Sequence, residues 1–192
     1  MKELKIGVPD GKKAEWKDID GTPTLVLVDE KDERPVIERI KTLDDAIREL
    51  GESNPLVIQF KELTNGMCDG ELTKDLFAYF KLRIIAAALN EGWKPKFITD
   101  EYRYYPWFYF YTEEELAQKS EKWKKEHKLW LVGGDSKYGA ICGLAYAFSD
   151  SVWSYSIADV SARLAVKNEE LAIYFGKQFI DIWANYVGPF GE

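Results

Sequence analysis

Between Trp130 and Val166 the chain reads WLVGGDSKYGAICGLAYAFSDSVWSYSIADVSARLAV, a run of glycine, alanine, serine and aromatic residues whose only charges are Asp135, Lys137, Asp150, Asp159 and Arg163. In a chain that is 31% charged, that contrast requires a structural reason. Apolar and small polar residues alternate, Gly or Ser breaks the alternation every few positions, helical periodicity is absent and no Pro interrupts. The pattern predicts short strands joined by long, ordered surface loops. Large aromatic rings set among Ser and Gly also suit a binding surface, because they offer contact area for few frozen torsions while the small residues supply adaptable hydrogen bonds. Tyr138, Tyr146, Phe148, Trp153 and Tyr155 are the candidate anchors. The alternative reading of the same composition is that these rings fill the core of a loop-rich domain.

Composition excludes several classes. A length of 192 residues fits one domain, or one with a small appendage, and 46% hydrophobic with 15% aromatic content means a folded chain. A net charge of −7 argues against nucleic acid as a partner, since phosphate binders concentrate Lys and Arg on one face. Cys68 and Cys142 are the only cysteines and no CxxC or Cys/His cluster is present, so they read as buried thiols and not as metal ligands. MKELKIGVPDGKK lacks the apolar core of a signal peptide, and no apolar run is long enough to span a bilayer. Cytoplasmic synthesis without a signal peptide and without membrane insertion is the expectation.

In chain order, residues 1–22 read as irregular, with turn signals at Pro9-Asp10-Gly11 and Asp20-Gly21. Thr24–Val28 and Val36–Ile40 read as a hairpin with a charged tip. Thr42 caps a helix over 43–50, with Asp45 as the reciprocal acid and Gly51 as the stop, and Leu56–Phe60 reads as a strand. Residues 73–90 predict a helix capped by Thr73 and ended by Gly92. The aromatic run YRYYPWFYFY reads as a strand from Trp107 to Tyr111; its continuity favours a central strand covered on both faces over a stacking platform for bases or sugars. Thr112 and Glu115 form a second capping box before a charged, solvated helix through LAQKSEKWKKEHK. Asn168 caps a last helix, ELAIYFGKQFIDIWANYV, whose Leu171, Phe175, Phe179, Ile182 and Tyr186 recur at helical spacing, and Gly188-Pro189 end it. The organisation expected is a β-rich N-terminal segment or subdomain over 1–62 and a main domain over 63–192.

No pattern carries catalysis. His127 stands among Lys and Glu with no nucleophile or orienting carboxylate near it in sequence. GGDSKYG has no GK[ST] after it, and the acidic clusters Asp44-Asp45 and Glu113-Glu114-Glu115 sit at predicted helix N-termini, where the helix dipole accounts for them. No tripeptide of the kind that holds calcium and sugar together occurs. No cofactor, no metal and no catalytic residue is expected.

Gly133-Gly134, the spacing of glycine and tryptophan in GAICGLAYAFSDSVWS, and SARLAVKNEELAIYFGKQFIDIWANYV together resemble the variable proteins of diversity-generating retroelements of gut bacteria and their phages. TKDLFAYFKLRIIAAALNEGWKP and YYPWFYFYT are similar to that group as well, so the likeness covers roughly 70–190. The resemblance implies an α+β, C-type-lectin-like fold with two main helices, short antiparallel strands and long ordered loops, related to formylglycine-generating enzymes. The paired arginines of that group's middle section and the catalytic cysteines of the enzyme relatives are missing here, so no enzyme activity is carried over. By the same resemblance the diversified, ligand-binding positions are Asp135, Lys137, Tyr138, Ala140, Ile141, Phe148, Asp150, Ser151, Tyr155, Ile157, Asp159 and Val160, with Gly133, Gly134, Gly139, Gly143, Trp153 and Arg163 as scaffold. The implied partner is a macromolecular or cell-surface ligand, with homo-oligomerisation and association with a virion left open. A phage structural or assembly protein, using the same domain for subunit contacts, is the alternative.

Overall fold

The computed structural model describes residues 6–29, 32–65, 73–96, 98, 100–132, 142–153 and 163–188. The chain divides into two compact units, 1–35 and 36–192.

The first unit is a hairpin of β1 (Lys12–Ile19) and β2 (Thr22–Asp29), paired antiparallel from Lys12↔Asp29 to Ile19↔Thr22. Asp20 and Gly21, at φ 52° and 77°, form the two-residue turn, whose left-handed pair of residues matches the twist of the strands. The hairpin therefore lies earlier than expected: 12–19 is a strand, and 36–39 is not its partner but a helix.

The second unit begins with three helices, α1 (Val36–Arg39), α2 (Leu43–Leu50) and α3 (Pro55–Thr64). At α2 the Thr42 hydroxyl accepts from Asp45 N while Asp45 Oδ2 accepts from Thr42 N, the reciprocal box expected. The Leu56–Phe60 stretch is helix and not strand: Asn54 caps it by accepting from Leu56 N, and Pro55, which has no N–H to lose, opens the first turn. The long helix α4 (Lys74–Leu89) follows, burying Leu82, Ile84, Ile85, Ala86, Ala88 and Leu89.

Next come β3 (Tyr102–Tyr111), α5 (Glu113–Ala117), α6 (Glu121–Glu126), β4 (Trp130–Val132), β5 (Cys142–Trp153), α7 (Glu169–Gln178) and α8 (Ile180–Val187). The strands make an antiparallel sheet in the order β3-β5-β4. One face of it packs on α7 and α8. Phe108 meets Trp183 at 5.3 Å and Tyr146 edge-on at 6.3 Å, and Leu144, Tyr146, Ile180 and Ala184 form a cluster beneath the sheet.

The expectation of a C-type-lectin-like fold with two main helices is corrected: eight distinct helices occur among the described residues, within an α+β chain of antiparallel strands. Two breaks account for part of the difference. The charged segment stops at Ala117 and restarts where the Ser120 hydroxyl accepts from Trp123 N. The last helix breaks at Phe179, whose φ of −116° and ψ of 32° turn its ring edge-on to Tyr174 and Phe175.

One polar clasp joins the helices to the segment that precedes α7. Asn90, 6% exposed, donates through Nδ2 to the Ala165 carbonyl at 2.8 Å and accepts from Lys167 N at 3.0 Å. Beside it, the buried Arg39 guanidinium contacts Glu49 and, at 2.5 Å, Glu91, and Lys167 Nζ reaches Glu91 at 2.8 Å.

Candidate functional site

Strand alternation assigns each ring of β3 to a face. Tyr104, Pro106 and Phe108 turn toward the helices, so Arg103, Tyr105, Trp107, Tyr109 and Tyr111 turn the other way. On β5, Phe148 stands opposite Trp107 and Asp150 opposite Tyr105, while Tyr146 opposite Phe108 belongs to the inner face. The register shifts between Trp107 and Phe108, where β5 carries Ala147 as the extra residue.

The outer face is closed over Arg103 and Tyr105 and opens from Trp107 onward: Trp107 is 41% exposed, Phe148 42% and Tyr109 51%. The exposed rings form a connected ladder. Trp107 and Phe148 are nearly parallel, at 5.8 Å and 7°; Phe148 meets Tyr109 at 6.3 Å, and Tyr109 meets Tyr111 edge-on at 6.5 Å. Trp123 of α6 continues the series, edge-on to Tyr111 at 5.2 Å and stacked on His127 at 4.3 Å. Lys119 Nζ lies 5.3 Å from the Tyr111 ring and 4.8 Å from the Trp123 ring. Burial raises the Tyr111 phenol above its ordinary pKa, with Tyr109 and Glu115 adding to it, so the phenol beneath the Lys119 cation stays protonated at physiological pH.

At the β4 side the ladder adjoins a groove of about 440 Å³ lined by Leu116, Glu121, Lys124, Lys125, Leu129 and Leu131. Leu131 is 62% exposed and stands opposite Gly143. A Cβ on Gly143 would come 2.6 Å from Leu129 Cδ1 and 2.8 Å from Leu116 Cδ1, so a larger residue there would have to displace the ends of these two leucines. Lys124 pairs with Glu121 at 2.7 Å on the rim.

The expected ligand-binding residues fall into two sets. Phe148 and Asp150 are exposed on the outer face, and Ser151 is half-buried opposite Tyr104. Asp135, Lys137, Tyr138, Ala140, Ile141, Tyr155, Ile157, Asp159 and Val160 lie outside the described residues, as do Gly133, Gly134 and Gly139. Their attachment points are described. Residues 133–141 join Val132 to Cys142, which pair with each other at one end of the sheet. Residues 154–162 leave from Trp153, paired with Tyr102, and return next to Val166, which exchanges backbone hydrogen bonds with Tyr104 at the other end. Of the candidate anchors, Tyr146 is a core residue at 5% exposure, with burial raising its phenol pKa.

Trp107 and Tyr109 were not among the expected site residues, because β3 was read as a central strand. Among the described residues its one strand neighbour is β5, beside the single bridge Tyr104↔Val166, and Trp107 and Tyr109 stand exposed on it. The signal that could have revealed this is Pro106, since a residue without an N–H is confined to sheet edges and bulges.

His127 has a structural place: its Nδ1 lies 3.0 Å from the Trp123 carbonyl and its own carbonyl accepts from Tyr146 N at 3.0 Å. Among the described residues there is no group of three or more His, Cys, Asp and Glu placed to hold a metal, and no helix long and apolar enough to cross a membrane. No family model, no curated protein and no solved structure matches the chain.

Proposed function

We propose that this chain is a non-enzymatic recognition protein that binds a macromolecular or cell-surface ligand through the outer face of the β3-β5-β4 sheet and the segments rooted at its two ends, and that a diversity-generating retroelement rewrites the contact residues. The observation that carries the reading is the aromatic ladder: Trp107, Tyr109 and Phe148 stand exposed on one face of a sheet whose opposite face is packed at Phe108, Leu144 and Tyr146 on the last two helices. A contiguous exposed aromatic surface is costly to leave in water and is the usual composition of an interface core. The positions that the resemblance marks as diversified begin on this face, at Phe148 and Asp150, and continue into the segments attached at both ends of β5. The backbone beneath is fixed by the sheet and by the Asn90 clasp, so side chains can change while little ordering entropy is lost on binding.

The test is the DNA flanking the gene. A near-copy of the codons for 131–187, differing from them only where the copy has adenine and lying beside a reverse transcriptase, is the expected result. Flanking DNA without such a repeat overturns the diversification.

A further inference from the structure

The hairpin of the first unit has an asymmetry that the recognition surface does not use. Among the described residues its two strands form a two-stranded sheet, in which no other described strand pairs with the outer edge of β2. Strand β1, KKAEWKDI, guards its edge with Lys12, Lys13, Glu15, Lys17 and Asp18, and Lys13 pairs with Glu15 at 2.8 Å. Strand β2, TPTLVLVD, carries no charge from Thr22 to Val28. Proteins place charges on sheet edges to prevent pairing with other chains, and β2 lacks that protection. On one face of the hairpin Trp16 stands opposite Leu25 and Ala14 opposite Leu27, with Trp16 72% exposed and Leu27 46%. A lone hairpin is marginal in water, whereas three or more strands with an apolar face are stable.

The hydrogen-bonding parity of β2 decides what fits its open edge. The two-residue turn makes Ile19 and Thr22 a hydrogen-bonded pair, so Thr24, Val26 and Val28 bond inward to β1 and Pro23, Leu25, Leu27 and Asp29 direct their backbone groups outward. Pro23, which has no N–H, occupies one of the outward positions. A second β2 running antiparallel, centred on Val26, matches this edge throughout. Leu25 N–H meets the Leu27 carbonyl of the other copy, Leu27 N–H meets the Leu25 carbonyl, and Asp29 N–H meets the Pro23 carbonyl. The donors that Pro23 of each copy lacks, two in the dimer, are the ones missing. The same register keeps Leu25, Leu27 and Trp16 of both copies on one face, because residues of equal parity oppose each other.

We infer that the β2 edge is a homodimer interface, in which two copies of this chain join their hairpins into one four-stranded antiparallel sheet about a two-fold axis through Val26. The absence of charge from Thr22 to Val28, against the charged edge of β1, selects β2–β2 over pairing through β1. The interface is isologous, so Leu25 meets Leu27 of the other copy and Leu27 meets its Leu25, while Val26, on the axis, meets its own equivalent at a Cα separation of about 4.5 Å.

The full chain is the material for the test, with sedimentation velocity over a concentration series as the measurement. The unmodified chain is expected to be a dimer at micromolar concentration; a monomer throughout the series, or a trimer, overturns the inference. Val26→Lys and Val26→Glu each place like charges across the axis and are expected to dissociate, and an equimolar mixture of the two is expected to restore a heterodimer. Either variant remaining a dimer, or the mixture remaining monomeric, contradicts the register. Leu25→Pro removes an N–H that the hairpin itself does not use and is expected to weaken the dimer about tenfold or more, while Ala14→Pro, the matched loss on the β1 edge, leaves it intact. If Leu25→Pro melts the hairpin, the Lys and Glu mixture still decides, because restored association requires folded strands.

Discussion

Gly176 of α7 and Tyr146 of β5 touch across the helix–sheet interface so closely that a Cβ on Gly176 would lie 2.8 Å from Tyr146 Cδ2, and 2.6 Å from Pro106 Cβ. Neither neighbour can yield easily. Pro106 is fixed to its backbone, and Tyr146 is wedged edge-on to Phe108 with Lys177 Nζ 4.9 Å from its ring. Gly176→Ala would gain up to about 1 kcal/mol of helix propensity and lose about 1–3 kcal/mol to overpacking. A net loss of stability in chemical denaturation is expected, with α7 pushed off the sheet that carries the aromatic ladder.

A diversified position must tolerate replacement, and this separates neighbouring residues of β5. Phe148 is exposed and its main contact is the ring of Trp107, so Phe148→Ser is expected to cost about 1 kcal/mol. Asp150→Asn, also on the open face, should stay within about 0.5 kcal/mol. Leu144 is fully buried in the cluster beneath the sheet, and Leu144→Ala is expected to cost about 2–5 kcal/mol. Urea denaturation of the three variants checks the contrast. A Phe148 variant as damaged as the Leu144 variant would remove Phe148 from the replaceable surface.

Asn90, 6% exposed, serves two backbone groups at once. Asn90→Ala strands the Ala165 carbonyl and the Lys167 N–H, at a cost of about 2–4 kcal/mol. The loss falls on the chain that returns from 154–162, so amide exchange at Leu164–Val166 should rise before that of α4 does.

Tyr174 donates its hydroxyl to the Ile40 carbonyl at 2.6 Å, fastening α7 to the end of α1. Burial, with Asp45 nearby, raises its pKa to about 12. Its folded value lies above the unfolded value near 10, so its contribution is complete below pH ~10 and is lost as the pH rises toward 12. Burial also raises the phenols of Tyr146 and Tyr186, which steepen the same alkaline limb. Tyr174→Phe should be less stable at neutral pH by about 1–2 kcal/mol and lose less between pH 10 and 12. Denaturation midpoints across the alkaline range measure both effects.

What the sequence made legible is mainly the local chemistry of helix ends. Thr42 with Asp45, Thr112 with Glu115, and Asn168 were readable because the bonds they make span three residues. Helix α4 was readable from its apolar recurrence and from Gly92, which stands at φ 87°. Leu56–Phe60 was misread because a short apolar run fits a strand and a helix equally; Asn54-Pro55 was the deciding signal. β1 was missed because Lys12, Lys13, Glu15 and Lys17 hide its alternation, although the Asp20-Gly21 turn beside it was seen. The break at Phe179 has no Gly or Pro to announce it and follows from tertiary packing of its ring. Of the candidate site, Phe148 and Asp150 are exposed, whereas the exposure of Trp107 and Tyr109 depends on what packs over each face of the sheet, which is a property of the whole fold.

The two segments that hold most of the expected contact residues are rooted at opposite ends of one strand. β5 is 12 residues long, so these roots stand on the order of 35–40 Å apart. On the proposed recognition function, contacts made close to the two roots would contribute independently to binding energy. A population of variants therefore need not find a good combination at both ends at once: an improvement at one end keeps its value whatever occupies the other. For a recognition surface of this layout, adaptation proceeds as two separate searches, and the number of sequences that must be sampled grows as the sum of the two possibilities and not as their product.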